Sequence, residues 1–178
     1  DEYATNYNNP DSIGGCYNDG TWRVVWYNPP KAYKHQFREI DITEITWESE
    51  INFHWGTGDI NYPPPNHLGD DYARFKAYNR IFIEQGATIT FRVSHNDGLQ
   101  LTVDGEYIYN NTSHNSSKSF FDVFLGPGIH EIKAEWFEIK KSAHVQLLWN
   151  KNLWMGSGVT PPPLPGSIDG DTAVYDGM

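Results

Sequence analysis

The chain has 178 residues, which leaves room for one domain with a substantial core and hardly for two. Its formal net charge of -10 makes nucleic acids and anionic membranes unfavourable partners, because phosphate binding needs clustered Lys and Arg and only 13 are scattered here. No stretch approaches the roughly 20 apolar residues that span a bilayer. We therefore expect no membrane span and no nucleic-acid partner.

Composition and glycosylation acceptors indicate the compartment. Trp, Tyr and Phe make up 15% of the chain and few runs favour helix, which is typical of extracellular β proteins. The single Cys16 cannot form an internal disulfide, so we expect a plain free thiol. The segment NNTSHNSSKS carries three overlapping N-glycosylation acceptors, Asn110, Asn111 and Asn115, and should be an exposed loop. We expect a secreted or cell-surface protein, its signal peptide already removed, with a glycan on at least one acceptor.

The chain divides into a central region of alternating segments between two irregular arms. Residues 1–20 show no sustained period, and residues 156–178 are rich in Pro and Gly. Between them, alternation of apolar and polar residues predicts strands. The segments are TWRVVWYN, FREIDITEITWESEINFHW, YARFKAYNRIFI, ATITFRVS, LQLTV, EYIY, FFDVFL, HEIKAEWFEI and HVQLLWN. The second segment should hold two short strands with a turn or bulge near Thr43 and Glu44.

About eight to ten short strands without an amphipathic helix predict an all-β fold. We expect an antiparallel β-sandwich or barrel with extended N- and C-terminal arms. The arms should cover residues 1–20 and 156–178, the second of them an arm or linker, and the folded domain should cover residues 21–155. The tryptophans that lie in predicted strands should pack in its core; they are Trp22, Trp47, Trp136 and Trp149.

A long loop interrupts the strands at residues 56–71, where glycines and three consecutive prolines exclude regular structure. The aromatic residues Trp55, Tyr62 and Trp154 flank or lie in loops, so they are better candidates for exposed contacts with a ligand than the tryptophans of the strands. Trp55 also has a structural interpretation, as the end of an aromatic strand.

Two Asp-Gly steps bracket one short strand in SHNDGLQLTVDGEYIYNN. Asp104-Gly105 is a strong hairpin signature, because both central residues of the favoured tight turn need positive φ. Asn96-Asp97-Gly98 is open to two interpretations. Its amide and carboxylate are either turn chemistry, with Asp97 accepting backbone hydrogen bonds, or oxygen ligands for a cation.

Four segments, in this order, resemble the protective-antigen domain family, a fourteen-kilodalton β module found in toxins, glycosidases, proteases and adhesins. The segments are INFHWGTG, DDYARFKAYNRI, NDGLQLTVDGEYIYNN and LGPGIHEIKAEWFEIKKSAHVQLLW. The first ends in the Trp-Gly of the family's aromatic strand, and the third follows its pattern of acids, glycine, strand and Asp-Gly hairpin. The resemblance covers residues 22–150.

This resemblance implies a β-sandwich without intrinsic catalysis that, in several branches, binds glycans. In the adhesin branch two consecutive aspartates joined by a cis peptide bind calcium, which ligates sugar hydroxyls. The matching positions here are Asn96 and Asp97, so an amide replaces the first acid. An Asn oxygen still ligates calcium, but one negative charge is lost. The resemblance thus implies calcium and glycan binding at these two residues.

Paired carboxylates do not fit a glycosidase. Glu48 and Glu50 share one face of a strand, and the adjacent Asp70 and Asp71 should point to opposite faces, so neither pair straddles a substrate easily. The seven His residues show no metal-binding spacing, and no Ser lies in a nucleophile elbow. We expect no enzyme activity.

The sequence therefore predicts a non-catalytic extracellular or cell-surface module for glycan binding or adhesion, with Asn96, Asp97, Trp55 and Tyr62 as ligand-binding residues. The alternative is a glycosylated structural subunit of an extracellular filament or surface layer, in which the arms bind other copies of the chain. A third interpretation, a fragment of a larger enzyme, would need a catalytic domain beyond one of the arms.

Overall fold

The computed structural model describes residues 21–33, 38–57, 72–139 and 142–149. Several predictions concern residues outside this part of the chain and stay predictions. They are both terminal arms with their self-association, Cys16, Trp154, and most of the proline-rich loop including Tyr62. The described strands lie within the domain predicted for residues 21–155.

Ten strands and two short 3-10 segments make up the described structure. The strands are β1 (Trp22–Tyr27), β2 (Ile42–Glu48), β3 (Ile51–Gly56), β4 (Arg74–Ile83), β5 (Ala87–Asn96), β6 (Gly98–Val103), β7 (Glu106–Asn111), β8 (Ser117–Leu125), β9 (Gly128–Phe137) and β10 (Ala143–Trp149). The 3-10 segments, Lys31–Tyr33 and Glu39–Asp41, lie between β1 and β2.

The strands form two antiparallel sheets that pack as a sandwich. The six-stranded sheet has the order β2-β1-β4-β9-β6-β7, and the four-stranded sheet has the order β3-β10-β5-β8. Every described strand pair is antiparallel. The predicted antiparallel β-sandwich is therefore confirmed.

The core lies between the two sheets and is rich in aromatic rings. Alternation produces it: β10 buries Ala143, Val145, Leu147 and Trp149, while the residues between them are half-buried. Burial of such side chains is the main favourable term for folding.

Three of the four tryptophans predicted for the core are there, and one is not. Trp22 and Trp136 are fully buried and Trp149 is buried, but Trp47 is 43% exposed. Trp47 lies on β2, an edge strand whose alternate residues face outward. Near Thr43 and Glu44 the bulge is present and the turn is not: β2 is continuous there and the chain turns after Glu48, but the pairing with β1 skips Thr43, with Trp26 opposite Glu44 and Tyr27 opposite Ile42.

The hairpin between β6 and β7 is as predicted. Asp104 has φ of 51° and Gly105 has φ of 84°, so both central residues adopt the left-handed conformation.

The polar segment at residues 110–119, which was predicted to be a loop, is strand at both of its ends. Asn110 and Asn111 end β7, and β8 begins at Ser117. The alternation of apolar and polar residues that predicts a strand is weak here, because β7 is an edge strand with little buried surface.

Candidate functional site

The Asn96-Asp97 step is the point where the chain passes from one sheet to the other. Strand β5 ends at Asn96 in the four-stranded sheet, and β6 begins at Gly98 in the six-stranded sheet. The peptide bond between Asn96 and Asp97 is cis. Asp97, the single residue between the strands, is 3% exposed. Its surroundings are therefore the interior of the sandwich edge and not a solvated turn.

Hydrogen bonds tie this crossing to the end of β9. Asp97 Oδ2 accepts from the backbone N–H of Ile139 at 2.7 Å. The backbone N–H of Asp97 donates to the Phe137 carbonyl at 3.2 Å. The indole Nε1–H of Trp136 donates to the Asn96 carbonyl at 2.9 Å. The carboxylate of Asp97 thus holds the backbone of Ile139 in place. This agrees with the interpretation in which Asp97 accepts backbone hydrogen bonds.

Gly98 allows a close contact between neighbouring strands. Its φ is not in the left-handed region, so turn geometry does not require glycine here. Instead, the ring of Phe137 on the paired strand β9 fills the space in which a Cβ atom would lie. Glycine at position 98 is therefore explained by packing against Phe137.

Asn96 offers one unsatisfied oxygen. Its Nδ2 donates to the Ser142 carbonyl at 2.7 Å, while its buried Oδ1 has no hydrogen-bond partner. An amide oxygen next to a carboxylate suits a hard cation such as calcium. No group of three His, Cys, Asp or Glu comes together in the described part of the chain. Among the described residues, the side chains available at this place for a cation are therefore those of Asn96 and Asp97.

A buried histidine beside this step was not anticipated from the sequence. His95 is fully buried; its Nδ1 lies 2.8 Å from the Asp97 carbonyl and its Nε2 lies 2.8 Å from the Tyr109 hydroxyl. Since a carbonyl only accepts, Nδ1 carries the proton and Nε2 accepts from Tyr109. Burial lowers the pKa of His95, opposed by its hydrogen bond to the Asp97 backbone. The only sequence signal is its inward position in the alternation of β5.

A second feature lies on the outer face of the four-stranded sheet, where a cleft has a volume of about 510 Å³. Outward side chains of all four strands line it, among them Asn52, His54, Ser94, Lys118, His144 and Gln146. The register sets them side by side: His144 pairs with His54, and Ser94 pairs with Gln146 and Lys118. None of these residues was a candidate from the sequence, since only the sheet register brings them together.

The cleft side chains are already ordered by contacts with one another. Gln146 Nε2 donates to Asn52 Oδ1 at 3.1 Å, and His144 Nε2 lies 3.3 Å from Ser94 Oγ. The rings of His54 and His144 have centroids 5.6 Å apart. Burial, His54 and Lys118 all lower the pKa of His144, burial most strongly.

Of the predicted ligand-binding residues, the structure describes Trp55, Asn96 and Asp97. Trp55 packs against the core, with ring centroids 5.3 Å from Trp136 and 5.4 Å from Phe53. Asn96 and Asp97 lie together at the crossing described above. The glycosylation acceptors lie at the end of β7 and in the connection to β8, where Asn110 and Asn115 are exposed and Asn111 is half-buried. Glycosylation itself stays a prediction.

The fold and the comparison with known proteins define the class of this chain, which is a non-catalytic β-sandwich domain. No family model matches the chain. The chain is 26% identical over 165 residues to the anti-sigma-I factor RsgI3 of Acetivibrio thermocellus. This similarity covers 87% of the chain but 24% of RsgI3, so the chain spans about a quarter of the length of this relative.

Solved structures share the fold. An anti-sigma factor domain-containing protein from Clostridium clariflavum has a TM-score of 0.58 and 18% identity, over 72% of the chain and 41% of that protein. A PA14 sugar-binding domain from an RTX adhesin has a TM-score of 0.53 and 19% identity, over 74% of the chain and 89% of that domain. The protective-antigen resemblance is thus supported at the level of the fold.

The expectation of no enzyme activity is confirmed by these comparisons. The similar proteins include anti-sigma factor proteins and a sugar-binding domain. A beta-glucosidase from Kluyveromyces marxianus also matches, with a TM-score of 0.51, but over only 16% of its length.

Two predictions are wrong in the light of the same comparisons. The chain is not best described as an adhesion module or as a filament subunit, because its sequence and structure are similar to anti-sigma factor proteins, which are regulators. The assignment to a secreted or cell-surface protein is overturned by the same similarity to regulators. Within the described residues, no helix is both long and apolar enough to cross a membrane.

Proposed function

We propose that this chain is the sensing domain of a regulatory protein of the anti-sigma factor kind, and that carbohydrate binding is its input. The observation that carries the proposal is the similarity to RsgI3, which extends over 87% of the chain. The sugar-binding domain of the RTX adhesin, which shares the fold over 89% of its own length, supports the class of ligand. In this proposal the domain belongs to the protective-antigen family and folds within residues 21–155.

The architecture suits a sensor. Polar side chains of the cleft, such as Ser94, His144 and Gln146, lie on strands, and strands hold side chains more rigidly than loops do. The crossing at Asp97 fastens the two sheets to each other through β5, β6 and β9. The cleft and the crossing therefore belong to one packed body.

We also propose that calcium binds at Asn96 and Asp97. The unpartnered, buried Oδ1 of Asn96 beside the carboxylate of Asp97 favours this proposal. A calcium ion bound there would take sugar hydroxyls as further oxygen ligands. The side chain of Asp97 would keep its hydrogen bond from Ile139 through one carboxylate oxygen.

A domain exchange tests the sensing role. The chain replaces the matched region of RsgI3 in a reporter strain whose transcription depends on the regulated sigma factor, and soluble polysaccharides are added one at a time. We expect one class of polysaccharide both to bind the isolated chain and to change reporter output. Binding without any reporter response would contradict sensing, and absence of binding across the panel would contradict a carbohydrate input.

A further inference from the structure

We infer that the cleft on the outer face of the four-stranded sheet binds a saccharide unit that carries a carboxylate. The inference rests on the proposed function, because it names the ligand class and the surface that receives it. The surface is separate from the Asn96-Asp97 crossing, where Asp97 is buried.

The chemistry of the cleft matches the hydroxyl groups of a sugar. Asn52 and Gln146 supply amides, Ser94 a hydroxyl, and His54 and His144 imidazoles. Amides, hydroxyls and neutral imidazoles each offer a donor and an acceptor, which is what a ring of hydroxyl groups needs. The contacts among them order these side chains before the ligand arrives, so binding loses less side-chain entropy.

The charge of the cleft selects an acid. Among the described residues that line it, none is Asp or Glu, although the chain carries a net charge of -10. Lys118 lines the cleft and forms no ion pair with a described carboxylate. Glu50 contacts one lining residue, since its Oε1 accepts a hydrogen bond from Asn52 Nδ2 at 3.5 Å at the edge of the sheet. A ligand carboxylate would give Lys118 the ionic partner that the described carboxylates do not.

An apolar platform lies beside the cleft. Phe120 is the next outward residue of β8 after Lys118, and it is 68% exposed. Its cross-strand partner Arg92 places the guanidinium carbon 5.3 Å from the ring centroid. The exposed ring accommodates the C–H face of a second sugar unit, and Arg92 beside it accommodates that unit's acid group. The next pair along the strands, Thr90 and Asp122, is already hydrogen-bonded at 2.7 Å.

The test is calorimetric titration of the whole chain with a short uronic acid oligomer and with the neutral oligomer of the same ring and linkage. We expect the acidic oligomer to bind at least tenfold more tightly, and Lys118→Gln to weaken its binding about tenfold. Lys133→Gln is the matched control, since Lys133 lies on the six-stranded sheet and pairs with Glu135. Amide chemical shifts recorded with the same oligomer should change at Ser94, Lys118 and His144.

The outcomes separate the two proposals. Equal binding of both oligomers, with Lys118→Gln unchanged, would overturn this inference and leave a carbohydrate sensor. Equal weakening by Lys118→Gln and Lys133→Gln, or chemical shift changes confined to the Asn96-Asp97 crossing, would also overturn it. Loss of binding to every saccharide would instead overturn the proposed function.

Discussion

The ring of Phe137 occupies the space that a Cβ atom on Gly98 would need. The two residues face each other directly across the β6–β9 pair, one step from the crossing between the sheets. Glycine at this position is therefore required by a neighbour from another strand and not by its own backbone conformation.

Gly98→Ala should destabilise the domain by about 1 to 3 kcal/mol, because the added methyl group overpacks against Phe137. The free energy of unfolding from urea titration measures this. Gly126→Ala is the matched control, because a Cβ atom there meets nothing within 4 Å. This variant should lose less than about 0.5 kcal/mol of unfolding free energy. Phe137→Leu should recover part of the loss in the double variant; additive losses would contradict the contact.

The hairpin and the alternating strands were predictable from the sequence, and the crossing was not. Asp104-Gly105 and the burial pattern of β10 depend on neighbours in the sequence. The role of Gly98 depends on Phe137, far along the chain, so a local pattern indicated a turn. The cleft depends on the register of four strands, which alternation alone does not give. Outward polar residues such as Ser94 and Gln146 look like ordinary solvated positions until the register is known.

Asp97→Ala should cost about 1 to 3 kcal/mol of stability, because it leaves the buried N–H of Ile139 without its acceptor. Asp97→Asn keeps a side-chain oxygen in place and should cost less. Unfolding in urea, with Glu106→Ala at an exposed position as the control, checks the order of the variants. If Asn and Ala are equally destabilising, the charge of Asp97 matters and its hydrogen bond does not.

Tyr109→Phe should destabilise the domain by about 1 to 3 kcal/mol, since it leaves the buried Nε2 of His95 without a donor. Tyr107→Phe, on the same strand but with a side chain 61% exposed, should change stability by less than about 0.5 kcal/mol. Thermal unfolding of the two variants side by side makes the comparison. Equal melting temperatures would contradict the hydrogen bond as a stabilising contact.

The imidazole of His144 should titrate below its ordinary pKa of 6.5, because burial and the nearby His54 and Lys118 disfavour its charged form. The contribution of His144 to the free energy of unfolding is therefore fully present above the pKa of the unfolded state. It is lost as the pH falls through the lower pKa of the folded state. The chemical shift of the ring Cε1 proton measures the midpoint. His54→Gln and Lys118→Gln should each raise it, whereas Lys133→Gln should not. A midpoint at or above 6.5 would contradict the arrangement of the cleft.

Calcium should raise the melting temperature of the chain if it binds at Asn96 and Asp97, because a ligand that binds only the folded state stabilises it. At a concentration about 100 times its dissociation constant, the gain is about 2.7 kcal/mol. Differential scanning calorimetry with calcium, with magnesium and with a chelator measures the shift.

Two variants locate the calcium site. Asn96→Asp restores the second carboxylate and should increase the calcium-dependent shift, since affinity in oxygen sites rises with ligand charge. Asn96→Ala removes the unpartnered Oδ1 and should abolish the shift. A shift that persists in Asn96→Ala would place calcium elsewhere. No shift in either the natural chain or Asn96→Asp would leave Asp97 with a single role, to hold the backbone of Ile139 at the crossing of the two sheets.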